Sequence, residues 1–143
     1  MSHLDKFAPD TLSVAEYEHW IVTVRGKQVT AGDLVVLPRV PYERFVEIQP
    51  AAAIELVSVL GRVEGVALGP LRADRVNIVA AMMKDPFVHF HFFPRFDGAV
   101  DRFGDRWIDE DWPRAITLRD VDTSPEVLAQ VRGFYAEQLG SSD

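Results

Sequence analysis

The sequence predicts an α+β fold whose strands pair antiparallel. Three observations carry this expectation: two runs rich in β-branched residues near the start, one long helical pattern in the middle, and a second pair of strand-like runs ahead of a final helix. Strands, helix, strands, helix is the order of an antiparallel sheet with the long helix packed on one side of it and a C-terminal helix after it. At 143 residues the chain suits one domain with a real core. Residues 1–143 are therefore read as a single domain, with its core at about 17–120 and its last helix at about 124–139.

Residues 20–24 (Trp-Ile-Val-Thr-Val) and 34–37 (Leu-Val-Val-Leu) are the first two strands. The intervening 26–33 (Gly-Lys-Gln-Val-Thr-Ala-Gly-Asp) holds two glycines and polar turn residues, as a long hairpin loop requires. Helical spacing runs over 50–68, where Pro50 sits in the first turn at no hydrogen-bond cost. Its polar residues Glu55, Ser58 and Arg62 form one stripe, and Ile54, Val57, Leu60, Val63 and Ala67 are expected to face the sheet. Gly69-Pro70 stops the helix. A strand is then expected over 76–83, a tight turn at Lys84-Asp85-Pro86 and another strand over 87–93. The final helix has Thr123 or Ser124 as N-cap, Glu126 in its first turn and Gly140 after its last residue. Residues 1–10 are read as a frayed end without the apolar stretch of a secretory signal.

Lys plus Arg number 15 and Asp plus Glu 22, giving a formal charge of −7. A field of that sign disfavours nucleic-acid polymers and anionic membranes, which both need surplus Lys and Arg. With 48% apolar and 26% charged residues the composition is that of a globular protein, and no apolar run approaches the ~20 residues of a membrane helix. There is no cysteine, so disulfides, thiolate metal sites and cysteine nucleophiles are excluded. A cytoplasmic location is the expectation.

The chemistry gathers in Phe87-Val88-His89-Phe90-His91-Phe92-Phe93-Pro94-Arg95. On a strand, Phe87, His89, His91 and Phe93 share one face while Val88, Phe90 and Phe92 share the other, which suits packing under a helix. Two imidazoles are thereby set roughly 6.5–7 Å apart at their Cα atoms. Such a pair can serve one small anion, or a metal if a carboxylate such as Asp85 joins them.

This tract resembles that of the histidine triad superfamily, His-x-His-x-His and two apolar residues, often followed by Pro-Arg. With Pro94-Arg95 aligned on that Pro-Arg, His91 is the third histidine, His89 the middle one, and Phe87 stands in place of the first. The run Gly32-Asp33-Leu34-Val35-Val36-Leu37-Pro38-Arg39 and the following Glu43-Arg44-Phe45 are similar to the family's hairpin strand and the link into its helix. The resemblance covers about residues 20–96 and implies an antiparallel sheet of about five strands with one long helix packed on it and a C-terminal helix.

It implies a nucleotide hydrolase or transferase in which His89 attacks the α-phosphorus of a dinucleoside polyphosphate or nucleoside phosphoramidate, while His91 contacts the phosphate or leaving group. A neutral imidazole is a competent nucleophile near pH 7. No metal and no cofactor belong to that scheme, the partner is a small nucleotide, and the resemblance implies a homodimer. Phe87 has no side-chain donor or acceptor, so His89 must be oriented by a backbone carbonyl or another side chain. The family's Gly-rich loop ahead of the triad is replaced by Met82-Met83-Lys84-Asp85-Pro86, in which Lys84 is the candidate phosphate contact. Asn77 and Arg95 complete the candidate substrate-binding set. The alternative is a nucleotide-binding module of the same fold with weak or no turnover.

Overall fold

The β-branched runs pair as their composition dictates. In the computed structural model, which describes residues 2–140, five strands form one antiparallel sheet in the order β1-β2-β3-β5-β4. They are β1 Ser13–Glu16, β2 Trp20–Val24, β3 Leu34–Pro38, β4 Arg75–Val79 and β5 Phe90–Arg95. Beyond β5 a separate hairpin pairs β6 Val100–Arg102 with β7 Asp105–Trp107. The helices are α1 Pro9–Leu12, α2 Pro50–Leu68 and α3 Pro125–Gly140. No helix among the described residues is long and apolar enough to cross a membrane.

Period-two alternation separates the faces of the sheet. Trp20, Val22, Val24, Leu34, Val36, Phe90 and Phe92 belong to the main core, together with α2 and α3. Trp20 fastens β2 to α2 through an indole N–H donated to the Ala52 carbonyl at 2.8 Å. The helix lays Ala52, Val59, Val63, Val66 and Ala67 on the sheet. Ile54 and Val57, expected there, instead point away and are 74% and 73% exposed. Both sides of this helix are apolar, and the sheet takes the one with smaller side chains, which permits closer approach. The polar stripe between them is tied down: Glu55 accepts from the His19 N–H at 2.7 Å and Arg62 donates to the Leu139 carbonyl at 3.1 Å.

On α3, Ser124 is the N-cap, its Oγ accepting from the Val127 N–H at 3.2 Å, and the helix runs on through Gly140. Its residues Val127, Val131, Tyr135 and Leu139 recur at helical spacing and are buried. The Tyr135 hydroxyl donates to the Gly32 carbonyl at 2.7 Å. Gly32 has φ +95°, and a Cβ there would meet the Tyr135 oxygen at 3.0 Å.

Three further expectations are corrected. The strand expected over 76–83 ends at Val79, and Met82 has a left-handed φ of 40°, incompatible with extended chain. The strand expected from 87 begins at Phe90, because Val88 turns its N–H to the Tyr42 carbonyl at 2.6 Å instead of to a neighbouring strand. Finally, residues 2–10 are not frayed: around a 3-10 turn at Asp5–Phe7, Leu4 and Phe7 pack on the second face of the sheet against Val35, Leu37 and Phe87.

Candidate functional site

The second face carries the imidazoles. His91 sits mid-sheet, in register with Val35 of β3 and Val79 of β4. His89 precedes β5 but keeps the same side: ring centroids run 5.0 Å from Phe87 to His89, 5.1 Å to His91 and 6.1 Å on to Phe93. Both histidines line a cleft of about 510 Å³, whose other walls are Lys6, Phe7 and Leu12 from the N-terminal segment, Arg25, Gly26 and Lys27 after β2, residues 81–85, and Leu118 and Asp120.

Hydrogen bonding determines each tautomer. His89 Nδ1 lies 2.8 Å from the Phe87 carbonyl oxygen. A carbonyl only accepts, so Nδ1 carries the proton and Nε2 keeps its lone pair. His91 is the reverse: Arg25 Nε–H donates to its Nδ1 at 3.4 Å, which places the His91 proton on Nε2. Burial, then the positive charge of Arg25, push His91 down to about 4 from an ordinary 6.5. One imidazole thus offers a lone pair and its neighbour an N–H.

His89 is only 3% exposed, with the Phe7 ring 5.8 Å away on its cleft side. The N-terminal segment is held there by Lys6, paired with Asp85 at 2.7 Å, and by His3, whose Nε2 lies 2.8 Å from the Pro38 carbonyl oxygen.

Arg25 is held at several points. It lies over the Phe93 ring at 5.5 Å and donates through Nη1 to the carbonyls of Lys27 and Arg119, the latter at 3.2 Å. Its backbone N–H donates to the Asp33 carbonyl at 3.0 Å, across a hairpin loop organised from within. The Gln28 amide donates to the carbonyls of Arg25 and Asp33 at 2.7 and 2.8 Å. The fully buried Asp33 carboxyl accepts from the N–H groups of Val29 and Thr30 and from the Thr30 hydroxyl; burial nevertheless pushes it up to about 7.

Lys84 lines the cleft with His89 and His91, but Asn77 and Arg95 do not. They form a buried network beside it, in which Arg95 makes a two-pronged pair with Asp109 at 2.5 and 3.0 Å and donates to Asn77 Oδ1 at 2.6 Å. Asn77 Oδ1 also accepts the Ile116 N–H at 3.1 Å. The network ties Asp109 and the Ile116 backbone to β4 and β5, and within the same stretch Asp111 pairs with Arg119. Asp85 is committed to Lys6. His89, His91 and Asp85 form no three-ligand cluster; among the described residues the one group of that kind is Glu18, His19 and Glu55, at the edge between β2 and α2.

Arg25 was not among the sequence candidates, although alternation marks it: Trp20, Val22 and Val24 face the core, so Ile21, Thr23 and Arg25 face the histidines' side. The contribution of Lys6 and Phe7 had no comparable sign, because it comes from a segment without periodicity docking across the sheet.

No family model matches the sequence, and no curated protein matches it. Solved structures do match. A histidine triad protein from Marinobacter aquaeolei is 18% identical with a TM-score of 0.76, the alignment covering 97% of this chain and 96% of that one. A histidine triad protein from Bradyrhizobium japonicum is 18% identical with a TM-score of 0.71, covering 96% and 95%. A hypothetical histidine triad nucleotide-binding protein from Sulfolobus tokodaii is 17% identical with a TM-score of 0.66, covering 90% and 83%. Likeness at these identities establishes the fold.

Proposed function

The chain has the histidine triad fold, and on that premise we propose that it is a cytoplasmic nucleotide-binding hydrolase or transferase working through a nucleotidyl-histidine. The observation that carries this is the hydrogen bond from His89 Nδ1–H to the Phe87 carbonyl, which leaves Nε2 as a fixed lone pair in a cleft. The nucleotide-binding neighbour from Sulfolobus tokodaii supports the ligand class.

His89 Nε2 attacks the α-phosphorus, the bond to the leaving group breaks, and the leaving group departs with the electron pair. The imidazole of the adduct is cationic, and its Nδ1–H still points at the Phe87 carbonyl dipole, which stabilises it. Water or another acceptor then attacks phosphorus, the P–N bond breaks, and its electrons return to Nε2. The acceptor's proton leaves to solvent. The His91 Nε2–H and the Arg25 and Lys84 charges lie around the same cleft, where they offset negative charge developing on phosphate oxygens. A second copy of the chain completes the proposal: Ile54 and Val57 on α2, with Phe45 and Val46 just before it, give an exposed apolar face suited to dimer formation.

Trapping tests the nucleophile. Incubation with a dinucleoside polyphosphate, acid-free quenching and mass spectrometry are expected to show a nucleotidyl adduct on His89, absent from His89→Ala. Undiminished turnover by a folded His89→Ala variant overturns the assignment. Nucleotide binding in calorimetry without turnover or adduct in wild type leaves a binding module.

A further inference from the structure

We propose that Arg25 is a positioning residue that sets which leaving group this site releases: by donating to His91 Nδ1 it holds that imidazole as a neutral Nε2–H donor, which serves a phosphate-type leaving group and is too weak an acid to protonate a departing amine. The inference rests on His89 acting as nucleophile.

Geometry fixes the contact from both sides. The guanidinium is clamped between the hairpin loop and residues 108–122 by the carbonyls of Lys27 and Arg119, with Phe93 beneath it, so its Nε–H is aimed by three separate parts of the structure. A planar fork in this setting cannot exchange its donor for an acceptor, because arginine has none. His91 Nδ1 must therefore be the acceptor. The charged groups facing His91 are Arg25, Lys6 and Asp85, and the His89 imidazole lies beside it with 5.1 Å between ring centroids. Asp85 alone favours an imidazolium, and it is spent on Lys6 at 2.7 Å. Burial works in the same direction as the cations, and His91 stays neutral well below pH 7.

The consequence lies in which bond can break. When a P–O bond of a phosphoanhydride breaks, the departing phosphate takes the electron pair as an anion stable at neutral pH and needs no proton. A hydrogen bond from His91 Nε2–H and the nearby Arg25 charge are sufficient help. When the P–N bond of a phosphoramidate breaks, the departing nitrogen must acquire a proton or leave as an amide anion. A neutral His91 has only the Nε2 proton, and giving it up would create an imidazolate beside the departing group. Arg25 itself never deprotonates in the useful range. The arrangement is matched to phosphoanhydrides.

The test compares kcat/KM for a dinucleoside polyphosphate and a nucleoside phosphoramidate in wild type, Arg25→Gln and Arg25→Lys, with the His91 titration followed by NMR. Wild type is expected to favour the phosphoanhydride by about tenfold or more. Arg25→Gln is expected to lose about 10- to 100-fold on the phosphoanhydride and much less on the phosphoramidate, with the His91 midpoint moving up. Arg25→Lys retains a charge, and is expected to keep both the low midpoint and the order of preference. Wild-type preference for the phosphoramidate, or equal losses on both substrates in Arg25→Gln with the His91 midpoint unmoved, overturns the proposal. Failure of the nucleophile assignment is distinguishable: it leaves no His89 adduct with either substrate, whereas failure of the Arg25 proposal leaves adduct formation by wild type intact.

Discussion

The carbonyl oxygen of Phe87 lies 2.8 Å from Nδ1 of His89. The acceptor that fixes the His89 tautomer is thus a main-chain atom, supplied whatever side chain stands at position 87. The Phe87 ring serves a different purpose, packing with Val35, Leu37, Leu4 and Phe7 and meeting the His3 ring edge-on at 5.0 Å.

Phe87→His, which completes the three-histidine pattern, is therefore expected to leave kcat/KM within a few-fold of wild type. It buries an imidazole among apolar side chains at a site 6% exposed, costing about 1–3 kcal/mol of stability in denaturant titrations. A gain of a hundredfold in turnover would show that the side chain at 87, and not the carbonyl, limits His89.

His91 and Asp33 give opposing pH dependences. His91 titrates at about 4 in the fold against an ordinary 6.5, so the unfolded chain binds more protons between those values and this stabilisation is lost as pH falls from 6.5 to 4. Asp33 titrates at about 7 against an ordinary 3.8, so the folded chain holds the extra proton and this contribution is lost as pH rises from 3.8 to 7. Chemical denaturation between pH 4 and 7 is expected to show stability rising with pH more steeply in Asp33→Asn than in wild type, and falling in His91→Asn. Parallel curves for all three proteins would contradict both shifts.

Arg95→Gln removes one side of a pair whose side chains are 3% and 2% exposed. The stranded Asp109 carboxylate costs about 3–5 kcal/mol. At about 2–4 °C per kcal/mol for a chain of this size, Tm is expected to drop on the order of 10 °C, with KM for nucleotide nearly unchanged below the transition. A raised KM without a lower Tm would return Arg95 to substrate contact.

Much of the architecture could be read locally. The alternation in 87–93 sorts core side chains from the histidine side because a strand projects successive residues to opposite faces, and Ser124 and Pro50 mark helix starts because they suit backbone groups that lack partners there. Elsewhere local signals competed. Apolar residues at 76–83 resemble one strand, yet the positive φ of Met82 ends it early. Ile54 and Val57 match helical spacing as well as the residues that actually meet the sheet. Asn77 and Arg95 stand near the motif in sequence, but their polar groups are satisfied by Asp109 and each other.

The sequence by itself determined the class of fold, the acidic charge that disfavours polymeric nucleic acid, and the placing of two imidazoles on one face of a strand. All of these follow from composition and from the two-residue period. Tertiary structure decided the state of each imidazole. His89 is oriented by a carbonyl two residues away, whereas His91 is held neutral by Arg25, 66 positions distant in sequence and brought alongside by the pairing of β2, β3 and β5. Tautomer and charge depend on the donors, acceptors and burial surrounding a ring, and those arise only when segments far apart in the chain are packed together.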